Sequence, residues 1–121
     1  ISLYDFFKDP KTEYILLDFW ASWCGPCIKA MPDIKKMNQK YASKGLKIIG
    51  VSSNDTYEKY VEAAKNNNVD WTLIYDKNDS GSSAFGISVL PTMILIDKQG
   101  TIIAIENNDA AIYSIVSDLL K

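Results

Sequence analysis

Histidine and arginine are absent from the 121 residues, and cysteine occurs only at Cys24 and Cys27. Two thiols without an imidazole fall short of the usual soft ligand set of a zinc site, so no resident metal is expected. Charge of one sign is also lacking. The 13 lysines and 15 acidic residues are spread along the chain and leave a formal net charge of -2, with no polybasic footprint for nucleic acid or an anionic membrane. No apolar run approaches the roughly 20 residues needed to cross a bilayer. The first residues lack a charged stretch followed by an apolar signal core, and Ile1 in place of an initiating Met reads as a processed or excised chain. Neither an internal repeat nor a low-complexity linker divides the sequence. With 47% apolar content, 121 residues make one ordinary core, and a single domain over residues 1–121 is expected.

What is present alternates between strand and helix patterns. Leu3, Phe6 and Phe7 suit a short helical turn anchored on the core and ended by Asp9-Pro10. Tyr14 to Trp20 is an apolar run without clean alternation, as in a strand covered on both faces, and is expected at the centre of the sheet. From Cys24, apolar Ile28, Met31, Ile34, Met37 and Tyr41 recur at helical spacing between Lys29, Lys35, Lys36 and Lys40, with Gly45 as the stop. Pro26 falls in the first turn, where its missing N–H costs nothing, whereas Pro32 is expected to kink the helix.

Leu46 to Val51 reads as a second buried strand, followed by a helix over 56–66 capped at Asp55. Trp71 to Tyr75 is a strand, 76–83 a polar loop, and a short helical piece stops near Gly86. Thr92 to Asp97 and Thr101 to Glu106 form a hairpin about Asp97-Lys98-Gln99-Gly100. Ile112, Ile115, Val116 and Leu119 mark a last amphipathic helix behind an Asn108 or Asp109 cap. Asn54-Asp55-Thr56 and Asn78-Asp79-Ser80 match the glycosylation acceptor pattern, which is too short to weigh, and read as loop and cap residues. This order argues for an α/β sandwich.

The chemistry concentrates in Cys24-Gly25-Pro26-Cys27. A Cys-X-X-Cys pair between a strand and a helix reads as a redox dithiol. A disulfide closing so short a loop removes little entropy from the unfolded chain, so its value is chemical. Exchange needs a thiolate, and Cys24 at the first turn of a helix meets unpaired N–H groups and the positive dipole end, with Trp23 and Gly25 leaving it accessible.

The string Leu16-Leu17-Asp18-Phe19-Trp20-Ala21-Ser22-Trp23-Cys24-Gly25-Pro26-Cys27 resembles the active-site segment of the thioredoxin superfamily. Leu90-Pro91-Thr92 resembles that superfamily's cis-proline loop. The resemblance implies a thioredoxin fold: a mixed central sheet with helices on both faces, here with an extra helix and strand over 55–75 before the proline loop. That insertion is similar to the TlpA/ResA-like branch, whose members are mostly membrane-anchored or exported reductases of bacterial envelopes. A cell-envelope or periplasmic location is therefore expected, with cytoplasm as the alternative.

By the same resemblance, Cys24 attacks a substrate disulfide and Cys27 resolves the mixed disulfide, with Asp18 as the buried proton acceptor for Cys27. Trp23, Gly25, Pro26, Leu90 and Pro91 would line the substrate side, and Trp20 would either join them or sit in the core. The redox group is the Cys24–Cys27 disulfide and no other cofactor is implied. The expected partners are a protein disulfide and an upstream thiol reductant, with no nucleic acid, no membrane contact by this domain, and a monomeric state.

Two positions depart from the relatives. Thioredoxins often pair the aspartate with a lysine on the next strand, but Ile48-Ile49-Gly50-Val51-Ser52 offers no cation. TlpA/ResA-like proteins often carry Glu three residues after the second cysteine, where this chain has Ala30. A redox-independent binding or holdase module is the rival of another class. A thiol peroxidase fits less well, since Ser22-Trp23-Cys24-Gly25-Pro26-Cys27 lacks the pattern around a lone peroxidatic cysteine.

Overall fold

In a computed structural model that describes residues 3–121, five strands form one sheet in the order β3-β2-β1-β4-β5. Strand β1 (Tyr14–Trp20) lies at its centre, parallel to β2 (Leu46–Ser52) and antiparallel to β4 (Thr92–Asp97). Strand β3 (Thr72–Ile74) extends the parallel side, and β5 (Ile102–Glu106) closes a hairpin whose Gly100 has φ +82°. The helices are α1 (Leu3–Phe6), α2 (Gly25–Tyr41), α3 (Tyr57–Asn66), α4 (Ser80–Ala84) and α5 (Asp109–Leu119). The expected α/β thioredoxin architecture is thus present, with α3 and β3 as the inserted pair.

Alternation along β1 sorts its side chains between two buried layers. Leu16 and Trp20 enter a layer with Met31, Ile34 and Met37 of α2, Tyr60 of α3, and Ile112 and Val116 of α5. Ile15, Leu17 and Phe19 enter the opposite layer, which is covered by Phe6 and Phe7 near α1 and by Phe85 and Ile87 beyond α4. The absence of alternation in the sequence therefore has its expected cause, a strand covered on both sides. The Leu3 side chain lies outside the described residues, so its expected anchoring role does too.

Several ends differ from expectation. Helix α3 is capped by Thr56, whose Oγ1 accepts from the Lys59 N–H at 3.4 Å; Asp55 is not the cap, because its carboxylate is turned to the loop ahead of Cys24. A 3-10 turn over Ala42–Lys44 intervenes between α2 and Gly45, which takes the left-handed conformation at φ +106°. Pro32 is inside α2. Of the two candidates for the last cap, Asn108 is used, accepting from the Ala111 N–H at 3.1 Å. Leu119 ends half-exposed, and Leu120 packs on the core in its place.

Candidate active site

Cys24 and Cys27 are joined as a disulfide, with Cα atoms 5.3 Å apart. Cys24 is the N-cap residue of α2, and its Sγ accepts the Cys27 backbone N–H at 3.2 Å. A helix-end amide thus points at the sulfur that would carry negative charge once the bond is reduced, and the dipole acts in the same sense. Pro26 stands in the first turn, where no N–H is required.

Access differs from the sequence expectation. Cys24 is only 4% exposed and Cys27 2%, because both side chains belong to the layer beneath α2. The open surface is made by their neighbours. Trp23 is 61% exposed, and Gly25 and Pro26 are exposed as well. Trp20 is fully buried, with its ring stacked on Tyr60 at a centroid distance of 4.5 Å, so it is a core aromatic and not part of that surface.

The Leu90–Pro91 peptide bond is cis, as the resemblance implied. Pro91 is buried, leaving Leu90, half-buried, and Val89, exposed, on the outer side of this corner. Leu90 packs against both buried layers, including the one that holds the two cysteines. The corner is tied down by Asn107, whose Nδ2 donates to the Pro91 carbonyl and to Thr92 Oγ1, both at 3.0 Å. Thr92 Oγ1 in turn donates to the Val89 carbonyl.

Asp18 is 3% exposed and lies between Leu16 and Trp20 on the face that carries the cysteine layer. Its pKa is pushed from 3.8 up to about 7, by burial first and then by the negative charge of Asp109. Across the β1/β2 ladder its partner is Gly50, where many thioredoxins have a lysine nearby. The Tyr60 hydroxyl, buried beside Trp20, is pushed upward in pKa by burial and then by the charge of Asp18.

Sequence reasoning missed the groups that hold the segment before Cys24. Ser22 donates its N–H to Asp55 Oδ2 at 2.6 Å and its Oγ–H to Asp55 Oδ1 at 2.9 Å. The Trp23 indole N–H donates to the Asn54 carbonyl at 2.8 Å. Nothing local in the sequence signals these bonds, which span more than thirty positions.

The fold and the Cys-X-X-Cys disulfide at a helix mouth place the chain in the class of thioredoxin-fold thiol:disulfide oxidoreductases. It belongs to the Redoxin family, whose family model matches residues 2–119. The chain is 34% identical over 96 residues to the thiol-disulfide oxidoreductase ResA of Bacillus thuringiensis subsp. konkukian. That match takes in 79% of this chain but 56% of the relative, so the chain spans about half the length of the curated relatives it matches.

Among solved structures, the thioredoxin domain of a thiol-disulfide oxidoreductase from Bacteroides vulgatus is similar with a TM-score of 0.87 and 30% identity, over 100% of this chain and 86% of that one. A thiol:disulfide interchange protein DsbE from Chlorobium tepidum is similar with a TM-score of 0.81 and 26% identity, over 93% and 80%. Together these make the chain a ResA-like member of the thioredoxin superfamily. No helix among the described residues is long and apolar enough to cross a membrane.

Proposed function

We propose that the chain reduces protein disulfides in the cell envelope, using Cys24 and Cys27 as its redox group. The observation that carries this reading is Cys24 Sγ at the mouth of α2, accepting the Cys27 N–H, with a buried carboxyl on the same face of the sheet whose pKa, pushed up to about 7, lets it both take and give a proton near neutral pH. In the reduced protein the Cys24 thiolate attacks one sulfur of the substrate disulfide. The substrate S–S bond breaks, and the departing thiolate takes up a proton. Cys27 then gives its proton to the ionised Asp18 and attacks Cys24 Sγ, which breaks the mixed disulfide and releases the second substrate sulfur as a thiolate that is protonated in turn. The substrate gains two electrons, the chain is left as the Cys24–Cys27 disulfide, and an upstream thiol reductant restores the dithiol.

Trp23 and the Val89–Leu90 corner offer apolar surface on which an extended substrate segment is held against the sulfurs, which makes the second attack effectively intramolecular. The reducing direction is supported by the Gly25-Pro26 dipeptide between the cysteines, which resembles that of reducing thioredoxins, and the envelope location by the likeness to the ResA-like branch. Reduced protein should open the disulfides of insulin and precipitate its chains, and Cys24→Ser should abolish this. A parent that reduces no protein disulfide, yet captures partners equally well after both cysteines are changed to serine, would instead be a binding module.

A further inference from the structure

The residues that present Cys24 are not held by their own element. The loop between β2 and α3 fastens Ser22 and Trp23, the two positions immediately before the nucleophile, through three hydrogen bonds to Asn54 and Asp55. Both oxygens of the Asp55 carboxylate are used: Oδ2 takes the Ser22 N–H, while Oδ1 takes the Ser22 hydroxyl and, at 2.9 Å, the Thr56 N–H. Three donors on two oxygens is a task only a carboxylate can perform, since an amide has one acceptor oxygen and a hydroxyl has no such span.

That loop is braced from behind by the following segment. Tyr75 Oη, just past β3, donates to the Asp55 carbonyl at 2.9 Å, and the Asn54 N–H donates to Asp79 Oδ1 at 2.9 Å. Asn54 and Asp79 both adopt left-handed backbone, at φ +53°, which these two residue types tolerate better than most. Asp79 stands at the N-cap of α4 but spends its side chain on Asn54 and not on its own helix. The chain of bonds thus runs from the segment after β3, through residues 54 and 55, to the indole exposed beside Cys24.

We infer that Asp55 is a positioning residue for the reaction: with Asn54 it clamps Ser22 and Trp23 so that the Trp23 ring is a fixed shelf on which the substrate chain aligns with Cys24. An aromatic ring that is 61% exposed has little packing to hold it, and its one bond to Asn54, with the two that tie the preceding Ser22 to Asp55, supplies the order. Because the clamp acts on alignment and not on the sulfurs themselves, its loss should be felt by a substrate that uses the shelf and not by a small reductant that does not.

This rests on the disulfide-reductase reading above, and the test separates the two. Asp55→Ala should raise KM for insulin about ten-fold with little change in kcat, while the rate at which dithiothreitol reduces the Cys24–Cys27 disulfide stays as in the parent. Asp55→Asn, which keeps one acceptor oxygen, should fall between, and it carries the test should the alanine variant fail to fold. In both variants the Trp23 indole N–H should exchange with solvent faster than in the parent. An unchanged KM or an indole as protected as before overturns the inference. So does a parallel loss of both rates together with a lower melting temperature, which would mark Asp55 as a general structural residue. If the parent reduces no insulin, the functional reading fails, while indole exchange still decides the clamp.

Discussion

Asp18 and Gly50 face each other across the parallel β1/β2 ladder. That ladder position thus supplies no cation to offset burial, and the Asp18 pKa rises from 3.8 to about 7, through burial and then Asp109. Between these values the folded chain keeps a proton that the unfolded chain has released. Stability from this group is fully present below about pH 3.8, declines as pH rises through the window, and is lost above about pH 7.

The difference corresponds to a cost on the order of 4 kcal/mol at most for the ionised form. Asp18→Asn removes the titration, so its urea midpoint should exceed that of the parent at pH 8 and converge on it at pH 4. Parallel stability curves for the two proteins over this range would refute the assignment.

The same substitution acts oppositely on turnover. Without a carboxylate, Cys27 has no internal base and its proton must go to water. Insulin reduction by Asp18→Asn should be slower by about ten- to a hundred-fold at pH 7. The gap should narrow above pH 9, where a thiol ionises unaided. Equal rates at every pH would take Asp18 out of the mechanism.

Gly50 is fixed by what surrounds it. A methyl group there would stand 2.7 Å from Leu73 Cδ2 and 2.8 Å from Trp20 Nε1, and the indole is a rigid neighbour held against Tyr60. Gly50→Ala should destabilise the fold by about 1–3 kcal/mol, after any gain in strand propensity, and urea unfolding reads it directly. A variant as stable as the parent would show that Trp20 moves aside without cost.

Much of this was legible in the sequence because it depends on local pattern. The uninterrupted run from Tyr14 to Trp20 signals a strand covered on both faces, and Asp18 within it signals an unusual carboxyl. Cys24 ahead of Gly25 and Pro26 marks a helix mouth. What was not legible depends on distant partners. Asp55 has a capping residue's chemistry and spacing, yet its carboxylate bonds to Ser22, and Thr56 caps α3 in its place. Trp20 and Trp23 are three positions apart with the same side chain, but β1 buries the first and the turn before α2 exposes the second. Residue type and spacing do not carry that difference; the end of the strand does.

Asn107 illustrates the same limit, since nothing in Glu106-Asn107-Asn108 distinguishes it from its capping neighbour. Its amide holds the Pro91 carbonyl and Thr92 Oγ1 together beneath the corner that would meet substrate. Asn107→Ala leaves both acceptors short of a donor in a half-buried place, at a cost of about 1–2 kcal/mol. A lower denaturation midpoint is expected, with a higher KM for insulin as Val89 and Leu90 lose their backing. If KM is unchanged at full folding, that corner does not contact the substrate.

The order of the two sulfurs is the sharpest consequence of the geometry. Cys24 caps α2 and has the exposed Trp23 and Gly25 on either side, whereas Cys27, in the same buried layer, lies one turn further along the helix. A substrate sulfur reaching the site meets Cys24 first, and Cys27 can act only after that bond exists. Cys27→Ser should therefore accumulate a covalent complex through Cys24, seen as a heavier band on a non-reducing gel that collapses with dithiothreitol. Cys24→Ser should form none, because the remaining thiol lacks the helix-mouth position that favours the anion. Were the Cys24→Ser protein to trap substrate and the Cys27→Ser protein not, the roles of nucleophile and resolving thiol would be reversed.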